Sequence, residues 1–323
     1  MPNRDHLLSR VGLKRWPPGF FTGQAGCFCC AATVTYAYHT MFGNSAGGVG
    51  ITNCQKWTSS WTSMTSAGTG FFARACGYLE DGTAYFGYGF KAGVGWNNGA
   101  EKYVSGTDTW TALTAGPSPN RSDCGAAAVV DVYAIGGADA FGAPLRDNDA
   151  YNIVGDSWAS KTDIPTPPRR YPSCFADGTY SYIACGIDTT GAGDSQQLDR
   201  YDPSGNSWTN KTSAPSPARH GAGAYMLGGK AYITGGLSTS VGVDNDEYDP
   251  SGDSWTSRAD MTGTARQWHA AASVAASSAG WITGGESSGS TRVTDHDEYT
   301  YDSWTNRTSL PSTARHQASG ASC

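Results

Sequence analysis

Short runs of small or apolar residues alternate with polar, glycine-rich turns over most of the chain. The stretch 218–255 shows the pattern in full. A run of small residues (Gly221–Leu227) leads to an apolar run ending in two glycines (Ala231–Gly236), an acidic and aromatic segment (Asp244–Asp249), and a segment that begins with Trp255. Runs of this length between Gly, Pro and Ser are typical of β-strands. The pattern therefore predicts four short strands in each unit.

The unit recurs at a nearly constant spacing. Six tryptophans are separated by 49, 48, 50, 47 and 49 residues: Trp61, Trp110, Trp158, Trp208, Trp255 and Trp304. Five glycines recur in step at intervals of 48, 49, 50 and 49 residues: Gly89, Gly137, Gly186, Gly236 and Gly285. An arginine follows each tryptophan by 11 to 13 residues: Arg74, Arg121, Arg170, Arg219, Arg266 and Arg315. Three markers in phase predict a repeat architecture.

These residues resemble the Kelch repeat, whose period is about 50 residues. The resemblance is carried by Tyr232-Ile-Thr-Gly-Gly236, followed by Tyr248 and Trp255. The copies at 133–158 and 281–304 match it well, and the copy at 182–208 has a cysteine in place of its first glycine. The resemblance implies a β-propeller whose blades each have four antiparallel strands.

The spacing also predicts how many blades the chain contains. Six periods of about 49 residues occupy roughly 292 of the 323 residues. We therefore expect an all-β, six-bladed Kelch-type propeller at 32–323, preceded by an irregular N-terminal arm at 1–31. The segment Arg315–Cys323 repeats the small-residue strand, so we expect it to complete the first blade and close the ring. Cys27–Val34 resembles the same strand, so either end of the chain closes that blade, or the chain is a fragment of something longer.

Charge and hydropathy exclude several classes of protein. The net charge is −6; residues 1–25 hold four basic residues against Asp5, net +3, which leaves −9 for the remainder. An acidic propeller is a poor candidate for nucleic-acid binding, which favours a basic face. The sequence has neither the apolar core of a signal peptide nor a stretch long enough to span a bilayer. We expect synthesis in the cytoplasm and no membrane insertion; the sequence does not determine the final location, for which a virion is one candidate.

The N-terminal arm combines positive charge with aromatic residues. Trp16, Phe20 and Phe21 surround two prolines that stiffen the chain. One interpretation is a disordered tail, which terminal segments often are. The alternative is an arm that docks onto a partner or onto the propeller rim, because aromatic residues and arginine stabilise interfaces.

The recurrent arginines give two alternatives. Arg74, Arg121, Arg170, Arg219, Arg266 and Arg315 all precede the predicted innermost strand. The ring would gather them at one mouth of the central channel, where guanidinium groups suit a carboxylate or an acidic sugar. The alternative is that each arginine pairs with an acidic residue of its own or the next blade.

The acidic pairs Asp147/Asp149, Asp244/Asp246 and Asp295/Asp297 recur before a tyrosine. Two carboxylates on one strand face are able to hold Ca²⁺, but the glycine turn and terminal acid of a calcium loop are missing. A solvated face, or partners for the recurrent arginines, is the favoured interpretation. We therefore predict no metal at these positions.

Cysteine usage favours buried free thiols. The chain has nine cysteines, several at equivalent small-strand positions, and an odd number fits a reducing environment. Cys27 and Cys30 have zinc-like spacing without a second ligand pair. The sequence predicts no metal, no cofactor and no catalytic residues.

Three classes of function are compatible with these features. The favoured class is a non-catalytic interaction or structural propeller that docks with other proteins of a larger assembly, including a phage virion or tail. The second is a glycan-binding or adhesion module that recognises an acidic sugar. The third is an enzyme similar to the Kelch-type copper radical oxidases or sialic-acid mutarotases, which the scattered histidines and absent export signal disfavour.

Overall fold

The structure is a computed structural model. It describes residues 38–41, 52–68, 71–72, 75–79, 83–91, 94–188, 193–274, 278–300, 302–311, 314 and 319–322. The predicted arm at 1–31, with Trp16, Phe20 and Phe21, lies outside the described residues, and so do Cys27 and Cys30.

The described chain is almost entirely β-strand and turn. Its strands up to the middle of the chain are β1 (Tyr38–Met41), β2 (Cys54–Trp57), β3 (Trp61–Met64), β4 (Phe71–Phe72), β5 (Ala75–Leu79), β6 (Thr83–Gly87), β7 (Phe90–Lys91), β8 (Gly95–Trp96), β9 (Ala100–Val104), β10 (Thr109–Leu113), β11 (Gly125–Ala128), β12 (Val132–Ile135), β13 (Asn148–Asn152) and β14 (Ser157–Ser160). The others are β15 (Ser173–Ala176), β16 (Ser181–Ala184), β17 (Leu198–Asp202), β18 (Ser207–Lys211), β19 (Gly223–Leu227), β20 (Lys230–Thr234), β21 (Asn245–Asp249), β22 (Ser254–Ser257), β23 (Ala270–Val274), β24 (Ala279–Thr283), β25 (Glu286–Ser287), β26 (Thr291–Arg292), β27 (His296–Thr300), β28 (Ser303–Arg307) and β29 (Ser319–Ser322). A 3-10 turn covers Ser288–Ser290.

These strands form a β-propeller with antiparallel four-stranded blades. In the described part of the chain, five blades each use one continuous stretch: blade A (β5, β6, β9, β10), blade B (β11 to β14), blade C (β15 to β18), blade D (β19 to β22) and blade E (β23, β24, β27, β28). A further four-stranded sheet, the terminal sheet, has the order β29-β1-β2-β3. The predicted all-β fold and four-stranded antiparallel blades are confirmed. The predicted sixth blade depends on the terminal sheet, whose strands come from opposite ends of the described chain.

The innermost strand of each blade is the predicted run of small residues. Strands β5, β11, β15, β19 and β23 contact their neighbours in that order around the axis. Space there is limited: a Cβ added at Gly223 would lie 2.6 Å from His269 Nε2 of the next blade. Small side chains are needed because the strands approach one another so closely. The apolar second strands, such as β12 and β16, are buried along their whole length.

The outer parts of neighbouring blades are joined by a recurring Tyr–Asp–Trp contact. In blade D, Asp253 lies in the turn between the third and fourth strands with a φ of 50°. Its carboxylate accepts hydrogen bonds from the Tyr248 hydroxyl (2.8 Å) and from the backbone N–H of Thr212 in blade C (3.0 Å). The Trp255 indole N–H donates to the Thr212 carbonyl at 2.8 Å. Side chain and backbone therefore both fix blade D against blade C.

Equivalent contacts occur around the ring. The acceptor is always Asp or Asn with positive φ: Asp108, Asp156, Asn206, Asp253 and Asp302. Asp and Asn tolerate left-handed backbone better than other residues with a Cβ. The recurring tyrosine and tryptophan of this contact are visible in the sequence pattern, whereas the acceptor was not identified from it.

We expect Asp253→Gly to lower the free energy of unfolding by about 2 kcal/mol, because glycine keeps the positive φ but removes the acceptor for the Tyr248 and Thr212 groups. Asp253→Asn should retain most of the stability, since Asn206 makes the same contacts in blade C. Urea denaturation measures both variants. The exposed Asp260→Ala is the matched control, and an equal loss in Asp260→Ala and Asp253→Gly would contradict this role.

Candidate functional site

A layer of buried arginines lies just before the innermost strands. Arg121, Arg169, Arg219 and Arg266 each precede their innermost strand by four residues, and each side chain is at most 2% exposed. Their backbone carbonyls accept hydrogen bonds from the glycine that ends the second strand of the preceding blade. The donors are Gly89, Gly137, Gly186 and Gly236, at 2.9, 2.9, 3.0 and 3.0 Å. The arginine backbone therefore connects adjacent blades.

The guanidinium groups are paired inside their own blades. Arg121 Nη2 lies 2.7 Å from Asp149 Oδ2, and its Nη1 lies 3.5 Å from Asp147 Oδ1. Arg219 Nη2 lies 2.5 Å from Asp246 Oδ2 and also donates to the Ile233 carbonyl at 3.3 Å. Blades C and E have the same arrangement, with the pairs Arg169–Asp199 and Arg266–Asp297. Buried charges of this kind persist because each has a hydrogen-bonded counter-charge.

This geometry decides between the two interpretations for Arg121, Arg219 and Arg266. Their guanidinium groups are enclosed and already bound to carboxylates, so they do not form an open anion site. The acidic pairs that recur in the sequence are their partners, which accounts for the pattern without Ca²⁺. The alternative in which each arginine pairs within its own blade therefore describes these three residues.

The remaining predicted arginines need correction or lie outside the described residues. In blade C the buried position is held by Arg169, and Arg170 is only partly buried. The tandem arginines made the choice ambiguous; the constant spacing of four residues to the innermost strand is the signal that separates them. In blade A the equivalent position is Phe71, since β5 begins at Ala75. Arg74 and Arg315 lie outside the described residues.

A second set of residues lies at the mouth of the channel. Each of them follows a buried arginine by two positions in the chain. Asp123, Tyr171, Gly221 and Trp268 have φ values of 60°, 53°, 62° and 52°. Their backbones are joined in sequence: Tyr171 N–H to the Asp123 carbonyl (3.0 Å), Gly221 N–H to Tyr171 (3.0 Å) and Trp268 N–H to Gly221 (2.7 Å). These hydrogen bonds bring residues of four different blades together around the axis.

Three aromatic rings from blades C, D and E meet at this mouth. The ring centroids of Tyr171 and Trp268 are 5.5 Å apart, and His220 lies 5.9 Å from Tyr171 and 6.3 Å from Trp268. Gly221 makes room for the indole, because a Cβ there would lie 2.6 Å from Trp268 Cδ1 and Nε1. We call Tyr171, His220 and Trp268, with the adjacent Asp123, Arg170, Asp194 and Gln267, the axial cluster.

Charged groups surround the three rings. His220 Nδ1 lies 2.7 Å from Asp194 Oδ1, and burial lowers the pKa of His220 despite this carboxylate. Burial raises the pKa of Asp123 to about 6, opposed by a hydrogen bond from Tyr171 and by the charge of Arg170. The Arg170 guanidinium lies 5.4 Å from the centroid of the Tyr171 ring. The mouth thus combines aromatic surface with acidic and basic side chains that form hydrogen bonds.

The axial cluster does not stand out in the sequence repeat, because its residue type changes from blade to blade. The sequence pattern of the blades emphasises residues that recur, whereas Asp123, Tyr171, Gly221 and Trp268 share only their offset from the arginine. The fixed spacing of two residues after the buried arginine is the sequence signal that locates this position, although unlike residues occupy it.

A third feature is the Phe141 turn, residues 138–144, between β12 and β13. The Phe141 side chain is 95% exposed. Asp139 Oδ1 accepts hydrogen bonds from the backbone N–H groups of Phe141 (2.9 Å) and Ala143 (3.0 Å), and Arg170 Nη1 donates to the Gly142 carbonyl at 3.3 Å. The turn is therefore ordered although its aromatic side chain contacts solvent.

The Phe141 turn shares one end of the blades, the arginine end, with the axial cluster. The end of β12 and the start of β11 lie together because the two strands are antiparallel. Val94, in the corresponding connection of blade A, is 63% exposed. Val154, 72% exposed, lies in the turn between β13 and β14 at the opposite end.

Four described cysteines lie in buried or partly buried positions of the blades. Cys54, Cys124, Cys174 and Cys185 are free thiols. Burial raises the pKa of Cys124 and Cys174 to about 12 and that of Cys185 to about 11. Such thiols are poor nucleophiles near neutral pH because the thiolate is the reactive form.

Comparison with known proteins agrees with this fold. No family model matches the chain. A stretch of 47 residues, 15% of this chain, is 45% identical to Kelch-like protein 7 of Rattus norvegicus, and the same identity is found with Kelch-like protein 7 of Homo sapiens. The match spans 8% of the length of those proteins. The matched stretch therefore covers less than a tenth of the length of these curated relatives.

A solved structure extends the comparison to most of the chain. The structure titled "Structure of YjhT" has a TM-score of 0.69 with this chain at 16% identity, covering 88% of this chain and 99% of that one. Similarity at this identity shows the fold alone. The local and overall similarities together support a Kelch-type propeller. Within the described ranges, no helix has the length and apolar character needed to cross a bilayer.

We expect Arg219→Met to lower the free energy of unfolding by about 3–5 kcal/mol, because it leaves the buried Asp246 carboxylate without its counter-charge. Arg170→Met is the matched control and should cost about 1 kcal/mol or less, since Arg170 is partly exposed. Equilibrium urea denaturation compares the two. Equal losses would contradict the assignment of Arg219 to the buried layer and Arg170 to the surface.

Proposed function

We propose that the chain is a non-catalytic protein-interaction propeller that docks, as a subunit of a larger assembly, through the Phe141 turn at its arginine end. The observation that carries the proposal is a 95% exposed phenylalanine on an ordered turn. Large aromatic residues supply much of the binding energy at interfaces. A turn already held by Asp139 and Arg170 loses little conformational entropy on binding. That the assembly is a phage virion or tail stays a prediction from the sequence.

Docking of this kind needs a rigid scaffold, and our proposal includes a closed ring of six blades. The terminal sheet serves as the sixth blade, with β29 as its innermost strand. Strand β29 pairs with β1 from Met41↔Ser319 to Tyr38↔Ser322, and it contacts both β23 of blade E and β5 of blade A. On the outer side, the Trp61 indole N–H donates to the Thr308 carbonyl at 2.7 Å. The same kind of hydrogen bond, from a tryptophan indole to a backbone carbonyl, joins the other neighbouring blades.

His296 gives a direct test of ring closure. The imidazole of His296 stacks on Trp281 of its own blade at 5.0 Å and lies 4.8 Å from both Trp57 and Trp61 of the terminal sheet. Burial, with the charge of Arg266, lowers its pKa to about 3. We expect the His296 imidazole to remain neutral in an NMR titration from pH 7.5 to about pH 4. Its resonance is assigned by its absence from the spectrum of the His296→Gln variant.

The same shift fixes the sign of the pH dependence of stability. The unfolded chain takes up this proton near pH 6.5, whereas the folded chain does not until about pH 3. The contribution to stability is therefore lost as the pH falls through this range, by about 1.4 kcal/mol per pH unit. A His296 pKa close to 6.5 in the folded protein would show that the terminal sheet does not cover it, and would overturn closure.

Site-specific photocrosslinking tests the docking surface. A photoreactive phenylalanine analogue at position 141 should yield a discrete cross-linked protein in the cells that make this chain. The same analogue at Val154, which is 72% exposed at the opposite end, should not. Phe141→Ser should release the chain from the assembly with which it purifies, while Val154→Ser should not. The proposal is overturned if position 141 gives no cross-link, or if both positions give the same products.

A further inference from the structure

Blade packing accounts for the positive φ shared by this position in four blades, but not for the bulky aromatic residues that two of the blades place there. Tyr171 and Trp268 are bulky residues with φ values of 53° and 52°, a conformation that costs on the order of 1–3 kcal/mol. The equivalent position in blade D is glycine, which adopts this backbone without strain. Strain held in two neighbouring aromatic residues at a channel mouth is typical of functional sites.

Several polar atoms of the cluster are buried without hydrogen-bond partners among the described residues. They are Asp123 Oδ1, Arg170 Nε and Gln267 Oε1. Two are acceptors and one is a donor. Buried polar atoms in folded proteins are almost always paired, and an unpaired one marks a place for water or a ligand. A ligand for this mouth must therefore both donate and accept hydrogen bonds.

The two aromatic rings add an apolar requirement. Tyr171 and Trp268 are each partly exposed, with their centroids 5.5 Å apart. A ligand that covers them needs a flat apolar face. Its polar groups must lie around its edge, where Asp123 and Arg170 contact Tyr171 and Gln267 directly precedes Trp268 in the chain.

Charge argues against an anionic ligand. The buried guanidinium groups of Arg121, Arg219 and Arg266 are bound to carboxylates. Within the axial cluster, Arg170 lies near the Asp123 carboxyl and His220 is paired with Asp194, while burial lowers the pKa of His220 and so disfavours its charged form. Among the described residues of the axial cluster, positive charge is therefore not in surplus.

We propose that the axial cluster binds a neutral saccharide ring, stacked on Trp268 and Tyr171, with its hydroxyl groups as partners of Asp123, Arg170 and Gln267. A saccharide has a flat face of C–H groups and hydroxyls that donate and accept, which matches both requirements. This site differs from the acidic-sugar site expected from the arginines. It shares Arg170 with the Phe141 turn, but the two tests substitute different residues, so either proposal can fail without the other.

Calorimetric titration and saturation-transfer NMR with methyl glycosides of glucose, galactose, mannose and N-acetylglucosamine test the site. At least one neutral glycoside should bind the wild-type chain. Trp268→Gly should weaken that binding by about tenfold, since glycine accepts the positive φ but removes the stacking ring. Trp96→Ala is the matched control, a partly buried tryptophan outside the cluster, and should leave binding unchanged.

A second variant guards against a folding defect. Asp123→Gly keeps the positive φ and removes the buried carboxylate, so it should also weaken binding, with thermal unfolding confirming that each variant folds. Glucuronate and N-acetylneuraminate are the anionic probes. The proposal is overturned if no neutral glycoside binds, if binding survives both substitutions, or if only the anionic probes bind.

Discussion

The buried arginine–aspartate pair is the interaction on which the rest of this propeller depends. Within a blade, the guanidinium of Arg219 joins the start of the innermost strand to Asp246 on the third strand. Between blades, the carbonyl of the same residue accepts the N–H of Gly186. One residue therefore fixes both the geometry of its sheet and the position of its neighbour. Since a buried charge is strongly unfavourable without its partner, the pair holds the arginine in place within its sheet, and the arginine carbonyl then holds the neighbouring blade.

A second set of contacts holds the blades at a larger radius. There, the indole of each blade reaches a backbone carbonyl of the one before, as Trp255 does with Thr212. Two sets of contacts at different distances from the axis oppose both sliding and tilting of a blade. The loops at the blade ends are then free to vary, and the Phe141 turn and the axial cluster are both built from such variable residues. The residues that recur from blade to blade hold the sheets together, and the residues that differ between blades lie in the connections at the blade ends.

Much of this fold was predictable because the strands carry repeated chemical markers. The small residues of β11 and the apolar residues of β12 occupy the predicted positions, since crowding at the axis and burial in the sheet act equally on every blade. The site was less predictable. Arg169 and Arg170 are indistinguishable by composition and differ only in register. Trp268 owes its importance to a backbone conformation and to its approach to Tyr171, neither of which a one-dimensional pattern contains.

The pairing of β1 with β29 has a consequence for how the molecule reaches its native state. Strands from opposite ends of the described chain lie side by side, so this sheet cannot assemble until β29 has been synthesised. Contacts so distant in sequence form slowly, because a very long loop must first be closed. Until then, the flank of β1 that later receives β29 is an unpaired strand edge, which is prone to associate with other chains. This topology therefore leaves the protein open to association with other chains during its synthesis, before the terminal sheet is complete.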